Sequence, residues 1–294
     1  MATIWSYEEN GINFTHGLDR HPRPEDYTMH AHEMHELYVF MGGIGTYMVE
    51  GHEYPLEPGA IMLMRAGEAH KLQIRPDKPY ERIALHMQPR LLAGVDPAGL
   101  LFEPFTDRPL GCGNHYERGC LPTGRFYEYI RGMMPENGDA YIRRLAILTY
   151  LCPLMTELRE VFLARRREEN GAVPRQNAGQ ALVAYINSNL AGDLSLDALS
   201  DRFYLSKSQL GRLFKQATGS SIWEYVLIKR LLNARQRIRD GEPAGEVCQS
   251  SGFRDYSAFF RAYKKRFGLS PQEDRGRGRA GYRPPYKSRP GTRG

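Results

Sequence analysis

Two stretches in the last third of the chain repeat one pattern: a short helix, a tight turn and a second helix. In the first stretch, Ser195 can cap a short helix over 196–203. A turn at Tyr204 then separates this helix from one that begins at Lys207. Helix, tight turn, helix is the arrangement that the spacing predicts.

The pattern recurs about fifty residues later. A short helix through Cys248 is followed by a turn at Gly252, and Asp255 can cap a helix over 256–267. Between the two stretches, the apolar spacing predicts a long helix over 222–239. The repeat therefore predicts an all-helical unit in which a long helix separates two similar halves.

Capping boxes fix where two of these helices begin. Ser206 with Gln209, and Ser221 with Glu224, have the spacing at which both side chains can satisfy free amides of a first turn. Glycine follows the predicted end of each helix and suits the left-handed C-cap conformation.

The second helix of each stretch has two faces. Apolar residues recur at helical spacing on one face, and small or basic residues, including Arg212 and Arg261, lie on the other. The basic face suits contacts with phosphates and base edges, although a solvated amphipathic helix has the same spacing. The recurrence of the pattern favours DNA contact over simple solvation.

Charge is unevenly distributed along the chain. The net charge is −5 over residues 1–178, +6 over 179–270 and +5 over 271–294. This distribution indicates that the C-terminal part is the part that meets a polyanion such as DNA.

The residues of this helical part resemble the double helix-turn-helix domain of AraC/XylS-type regulators over about ninety residues. The most specific segments are SKSQLGRLFK at 206–215, Gly252-Phe253, FFRAYK at 259–264 and GLSP at 268–271. The resemblance implies a sequence-specific transcription regulator, more often an activator than a repressor. In this family arrangement, the second helix of each unit enters the major groove.

The resemblance also implies which side chains contact DNA. Base contacts are expected from both second helices, and Lys215, Lys264 and Lys265 are assigned to phosphates. The predicted DNA-binding residues are Lys207, Ser208, Gln209, Arg212, Lys215, Tyr256, Ser257, Arg261, Lys264 and Lys265.

Short strands separated by glycine and proline turns fill residues 29–87 and predict an antiparallel barrel or sandwich. Here His30, His32, Glu36 and Gly43 match the first cupin motif, and His70 belongs to a degraded second motif. The resemblance is to the cupin-like sensor domain common in this regulator family. It implies that a small effector binds in the barrel, and a sugar-like molecule is one candidate.

The predicted ligand pocket consists of His30, His32, Glu36, Tyr38 and His70. Further polar or stacking contacts are expected from Tyr47, Arg82 and His86, although barrel cores need such inward positions in any case.

Metal binding stays open as an alternative. His30, His32, Glu36 and His70 form a ligand set suited to a divalent transition metal. The second motif departs from the cupin pattern, with Arg65 where proline is usual. No cofactor and no enzymatic activity are therefore predicted, and the alternative is a metal-dependent cupin enzyme fused to a DNA-binding domain.

Together these patterns predict an α+β fold with two domains, a cupin-like antiparallel β-barrel with a helical hairpin and an all-α double helix-turn-helix domain. The predicted divisions are 1–165 for ligand sensing and dimerisation, 166–177 for the linker, 178–272 for DNA binding and 273–294 for a basic disordered tail. The expected partners are double-stranded DNA, a small effector, RNA polymerase and a second copy through residues 124–165. We expect a cytoplasmic protein without a membrane segment and with reduced cysteines, since no zinc-ligand or CxxC spacing occurs.

Overall fold

The structure is a computed structural model that describes residues 1–9, 11–168 and 176–277. Nine strands in this part of the chain are β1 Ala2–Glu9, β2 Ile12–Asp19, β3 His35–Gly42, β4 Gly45–Val49, β5 His52–Leu56, β6 Ile61–Met64, β7 His70–Ile74, β8 Tyr80–Met87 and β9 His115–Tyr116. The α-helices are α1 Glu103–Thr106, α2 Phe126–Gly132, α3 Ala140–Glu168, α4 Ala178–Ser188, α5 Leu196–Phe203, α6 Lys207–Thr218, α7 Ile222–Arg239, α8 Ala244–Ser250, α9 Tyr256–Phe267 and α10 Pro271–Arg277.

The strands form two antiparallel sheets, as predicted. One sheet has the order β1-β2-β8-β3-β6-β9, and the other has the order β5-β4-β7. Tyr38 and Phe40 of β3 pack between the sheets against Tyr47, Leu72 and Tyr80. This aromatic layer is the interior of the predicted barrel.

The outer face of the larger sheet carries the helical hairpin. Because side chains alternate along a strand, Leu37 and Val39 of β3 point away from the barrel interior. They join a core with α2 and α3, which includes the buried Leu151 and Leu154 of α3. The helices thereby close one side of the N-terminal domain, which contains the two sheets and is called the β domain below.

The C-terminal helices form the two predicted helix-turn-helix units, α5–α6 and α8–α9. Tyr225 of α7 packs in the core of the first unit with Phe214 of α6. Further along α7, Ala234 and Ile238 pack in the core of the second unit with Phe259. One long helix thus holds both units, as the sequence predicts.

One of the two predicted capping boxes is fully formed, and the other is formed only in part. Ser206 and Gln209 form the reciprocal capping box in front of α6. Ser221 caps α7 by accepting from the amide of Glu224 at 3.2 Å, but the Glu224 side chain accepts from the hydroxyl of Ser220 at 2.8 Å. The second box is therefore half formed, because a nearer hydroxyl takes the carboxylate.

Two predicted boundaries were wrong. α3 continues to Glu168, three residues into the predicted linker. The predicted tail from residue 273 begins inside α10, where Asp274 is fully buried against Arg235 and Arg239 of α7. The ion pairs hold this end of the chain on the DNA-binding domain. The rest of the predicted linker up to residue 175, and the tail from residue 278, lie outside the described residues.

All four cysteines are free. Among the described helices, none combines the length and the apolar content that a bilayer crossing requires.

The packing of α3 predicts a large cost for truncating Leu154, which is fully buried. We expect Leu154→Ala to lower the free energy of unfolding by about 2–5 kcal/mol, because it leaves a cavity under the helix. Leu100→Ala, at a position that is 46% exposed, is the matched control and should cost less than about 0.5 kcal/mol. Equal midpoints for both variants in urea denaturation would contradict the packing.

Candidate DNA-binding face and sensor cluster

The ten predicted DNA-binding residues are all exposed. They lie on α6 and α9, whose opposite faces are anchored by the fully buried Phe214 and Phe259. Asp255 caps α9 by accepting from the amides of Ser257 at 3.2 Å and Ala258 at 2.7 Å. Packing and capping therefore fix both helices with their polar faces in solvent.

A cleft of about 1160 Å³ lies between the two units. Lys207 and Lys215 of α6 line it on one side, and Arg261 and Lys265 of α9 line it on the other. Arg212 is exposed on α6 but lies outside the lining of the cleft. The structure thus brings four of the predicted cations to one concavity, which concentrates positive potential there.

The cleft also contains side chains that the sequence analysis missed. Trp223, at the start of α7, is 73% exposed and lines the cleft together with Arg254. The sequence contained a local signal for each residue. Trp223 lies inside the segment that was interpreted only for helix capping, and Arg254 directly follows the Gly252-Phe253 pair.

A second cluster of polar side chains lies inside the β domain, around Glu36 of β3. Strand register places His86 of β8 directly beside Glu36. The Nε2 atom of His32 lies 2.9 Å from Oε2 of Glu36, and Nε2 of His70 lies 3.3 Å from the same oxygen. Nε2 of His86 lies 3.7 Å from Oε1. We call His32, Glu36, His70 and His86 the sensor cluster.

The sensor cluster differs from the predicted ligand set by one residue. His30 packs its ring against His70, with the ring centroids 4.3 Å apart, and its Nδ1 points to the carbonyl of Thr28. The sequence analysis expected His86 only as a further polar contact to the effector, whereas the structure places it directly beside Glu36. Its inward position follows from the alternation along β8, which puts Arg82 and His86 on one face.

Burial and mutual charge set the protonation of the cluster. Burial alone would raise the pKa of Glu36, but His86, His32 and His70 outweigh it and hold the pKa well below its ordinary value. Burial lowers the pKa of His86 to about 3, and it lowers the pKa of His30 as well. The site therefore combines the Glu36 carboxylate with the neutral imidazole of His86.

The predicted pocket residue Tyr38 lies next to the cluster on β3. Its hydroxyl is 2.8 Å from the hydroxyl of Tyr80, and both rings are fully buried. Nε of Arg82 is buried nearby without a hydrogen bond. Aromatic faces and a buried guanidinium thus border the sensor cluster.

The segments that carry the cluster also contact the DNA-binding domain. His30 and His70 exchange backbone hydrogen bonds of 3.0 and 2.8 Å. Met29, Ala31 and Ala69, which alternate with these histidines, are buried in one hydrophobic core with α4, α6 and α7. One face of each segment therefore forms the sensor cluster, and the other face forms the domain interface.

Glu50 is the main buried charge of this interface. It lies in the turn between β4 and β5 with a positive φ of 48°, a conformation that is strained for a residue with a long side chain. Its carboxylate accepts from Lys229 at 2.8 Å, from Asn187 at 2.8 Å and from the hydroxyl of Tyr225. The Ala69 amide donates to it at 2.6 Å. The turn therefore ties the β domain to α4 and α7.

A second ionic contact joins the domains at Glu33. Its carboxylate lies 3.2 Å from Arg235 and 2.7 Å from Arg239, and the same arginines hold Asp274 of α10. Burial raises the pKa of Glu33 in spite of the two cations. The side chain that follows His32 thus reaches the end of α7. Sequence patterns gave no signal for Glu33 or Glu50, because pairing across domains has no local spacing.

Two sequence profiles match the chain. "AraC-like ligand binding domain" matches residues 16–109, and "Helix-turn-helix domain" matches residues 199–277. The chain belongs to the AraC/XylS-type transcription regulators. As predicted, it is a DNA-binding regulator with a ligand-binding N-terminal domain.

Similar curated proteins include the HTH-type transcriptional activator RhaS of Escherichia fergusonii, which is 26% identical over 84% of this chain and 86% of that protein. RhaS of Shigella sonnei is 26% identical over 87% of this chain and 90% of that protein. These relatives are named as transcriptional activators. The predicted class of function is confirmed.

Solved structures show a more distant similarity. ToxT from Vibrio cholerae is 10% identical over 91% of this chain and 98% of its own, with a TM-score of 0.36. The DNA-binding domain of AdpA in complex with a target DNA is 24% identical over 34% of this chain and 92% of its own, with a TM-score of 0.33.

The buried ion pair predicts a strong effect of Lys229 on stability. Lys229→Met should lower the free energy of unfolding by about 3 kcal/mol, because it leaves Glu50 buried without its cation. Lys71→Met, which removes only a 3.0 Å contact with the Gly219 carbonyl, is the control and should cost about 1 kcal/mol or less.

The double variant Lys229→Met with Glu50→Gln should recover at least half of that loss in the same urea titration, since no uncompensated charge remains. Additive losses would show that the pair is not coupled.

Proposed function

We propose that this regulator reads two successive major-groove segments with α6 and α9 and that occupancy of the sensor cluster changes its DNA binding through the domain interface. The observation that carries the DNA assignment is the cleft that both units line with basic side chains. The helices α6 and α9 are both held by the long helix α7, and such a pair can enter successive major-groove segments on one face of B-DNA.

The chemistry of the side chains divides their roles. Arg212 and Arg261 have planar guanidinium groups that can bind guanine in two places, and we assign them to bases with Ser208, Gln209, Tyr256 and Ser257. Lysine is a flexible point charge, and we assign Lys207, Lys215, Lys264 and Lys265 to phosphates. Affinity then comes mainly from the lysines, and sequence preference from the arginines.

The coupling rests on the shared segments. A ligand that shifts His32 or His70 also displaces Ala31 or Ala69, because neighbouring residues of an extended segment move together. These alanines pack against the DNA-binding domain. Ligand binding can therefore change the presentation of α6 and α9, and by linkage DNA changes the affinity for the ligand. The ligand itself we assign to a small polar effector, for which sugar-like molecules fit the polar and aromatic lining.

The remaining roles follow from the relatives and from the surface. We propose a cytoplasmic activator that contacts RNA polymerase. In support of the activator role, the RhaS relatives are named as transcriptional activators. We further propose a homodimer through α3, where Tyr141, Ile142 and Leu145 are exposed at 69, 45 and 48%. Exposed apolar side chains at helical spacing are typical of a surface that another copy covers.

DNA recognition is tested on a duplex selected by the full chain from random sequences. Arg212→Ala and Arg261→Ala should each weaken binding by about 1–3 kcal/mol and lose discrimination at the bases they contact. Lys264→Ala should weaken binding to all sequences alike and reduce the salt slope by about one.

The matched control is Arg75→Ala, since Arg75 is exposed on the β domain and pairs with Asp77 at 2.8 Å. It should leave affinity unchanged. If both arginine variants on α6 and α9 bound the selected duplex like the wild type, the assignment of these residues would be wrong.

The dimer is tested by sedimentation velocity. Leu145→Asp should convert a dimer into a monomer, because it places a charge in the apolar contact. Leu100→Asp, at a similarly exposed leucine outside α3, should stay dimeric. A wild-type chain that sediments as a monomer at tens of micromolar would contradict the proposal.

A further inference from the structure

We propose that His32, Glu36 and His86 bind one divalent transition-metal ion, with His70 beside it. The inference adds an ion to the small polar effector proposed above, and it rests on the proposed function only for the consequence that the ion has for DNA binding. The ion site itself follows from the contacts of the cluster and is tested without DNA.

Hydrogen-bond accounting at His32 is the first observation. Its Nδ1 lies 2.7 Å from the carbonyl oxygen of Met34. Because a carbonyl only accepts, Nδ1 is the donor and carries the proton. The ring thereby turns Nε2 toward Glu36, and this atom lies 2.9 Å from Oε2. Both atoms are in reach of one metal ion.

His70 repeats this arrangement from another strand. Its Nδ1 lies 2.9 Å from the carbonyl of Glu68 and is again the donor. Its Nε2 makes no hydrogen bond, although the side chain is fully buried and the atom lies 3.3 Å from Oε2 of Glu36. A buried nitrogen without a partner is costly, and a nearby metal ion removes that cost.

The distances fit coordination. Metal–ligand bonds of about 2.0–2.2 Å at angles near 90–110° place neighbouring ligand atoms about 2.9–3.5 Å apart. The contacts of His32 and His70 with Glu36, at 2.9 and 3.3 Å, lie within this range, whereas Nε2 of His86 lies 3.7 Å from the other carboxylate oxygen, slightly beyond it. One ligand atom from each of His32, Glu36 and His86 lies within 4.8 Å of the other two.

The donor set also selects the kind of ion. Two imidazoles and one carboxylate suit zinc, iron, cobalt or nickel, whereas magnesium and calcium prefer oxygen ligands. Backbone carbonyls that hold Nδ1 of His32 and His70 orient the rings with Nε2 toward Glu36, as outer partners do for histidine ligands. The site is thus preorganised for a first-row transition ion.

The test uses the full chain without an affinity tag. Elemental analysis after purification without chelators should find close to one equivalent of transition metal per chain. Protein stripped with a chelator should bind one equivalent of Co²⁺ with visible d–d absorption, and Zn²⁺ should displace it. Mg²⁺ should neither bind nor compete.

Variants locate the ion. Glu36→Gln and His86→Ala should each weaken Co²⁺ binding at least about tenfold. His21→Ala, at an exposed histidine outside the cluster, should bind like the wild type. Far-UV circular dichroism checks that each variant is folded, and the Co²⁺ spectrum of the wild-type chain stands as evidence even if a variant does not fold.

Two outcomes would overturn the proposal. One is a folded wild-type chain that takes up neither Co²⁺ nor Zn²⁺ at tens of micromolar. The other is Co²⁺ binding that folded Glu36→Gln and His86→Ala variants leave intact. Metal uptake with unchanged affinity for the selected duplex would instead support the ion site and contradict the coupling in the proposed function, so that the two failures are distinguishable.

Discussion

Alternation along two extended segments is the constraint on which the rest of the structure depends. His30 and His70 are bridged by backbone hydrogen bonds, so that the two segments form one unit. In each segment, one face supplies histidines to the barrel interior, and the residues between them are buried against the DNA-binding domain. Because neighbouring residues of one extended segment carry the two faces, a displacement of the histidines also displaces the residues that pack against the DNA-binding domain. A few consecutive residues therefore contact both the sensor cluster and the DNA-binding domain.

Buried charge then holds the domains in one arrangement. Glu50 adopts a left-handed conformation at a hairpin turn and places its carboxylate among Lys229, Tyr225 and Asn187. The strain of such a conformation is of order 1–3 kcal/mol, which the charged hydrogen bonds offset. Ionic contacts of this kind have few alternative geometries, because any displacement leaves a buried charge without its partner. The interface is thus suited to two discrete arrangements more than to gradual motion.

Sequence patterns predicted the elements whose causes are local. The caps at Ser206 and Asp255, the two-faced helices α6 and α9 and the alternation of the barrel strands depend on residues near one another in the chain, and the structure has them. Glu50, Glu33 and the position of His86 beside Glu36 depend on pairing between strands or domains, for which the sequence has no local pattern. The predicted start of the tail at residue 273 was wrong for a similar reason. Its basic, glycine-rich composition concealed Asp274, which pairs with two arginines of α7.

The central claim is that the DNA-binding face and the sensor cluster are coupled through the domain interface. Amide hydrogen exchange of the full chain, with and without a selected duplex, measures this coupling directly at the amides of Glu50 and Ala69. Each of these residues bonds to the other across the turn that carries the interface. The account predicts that bound DNA changes exchange at both amides by at least about tenfold, because linkage makes the effect reciprocal. Protection confined to α6 and α9, with the exchange of Glu50 and Ala69 unchanged, would contradict it.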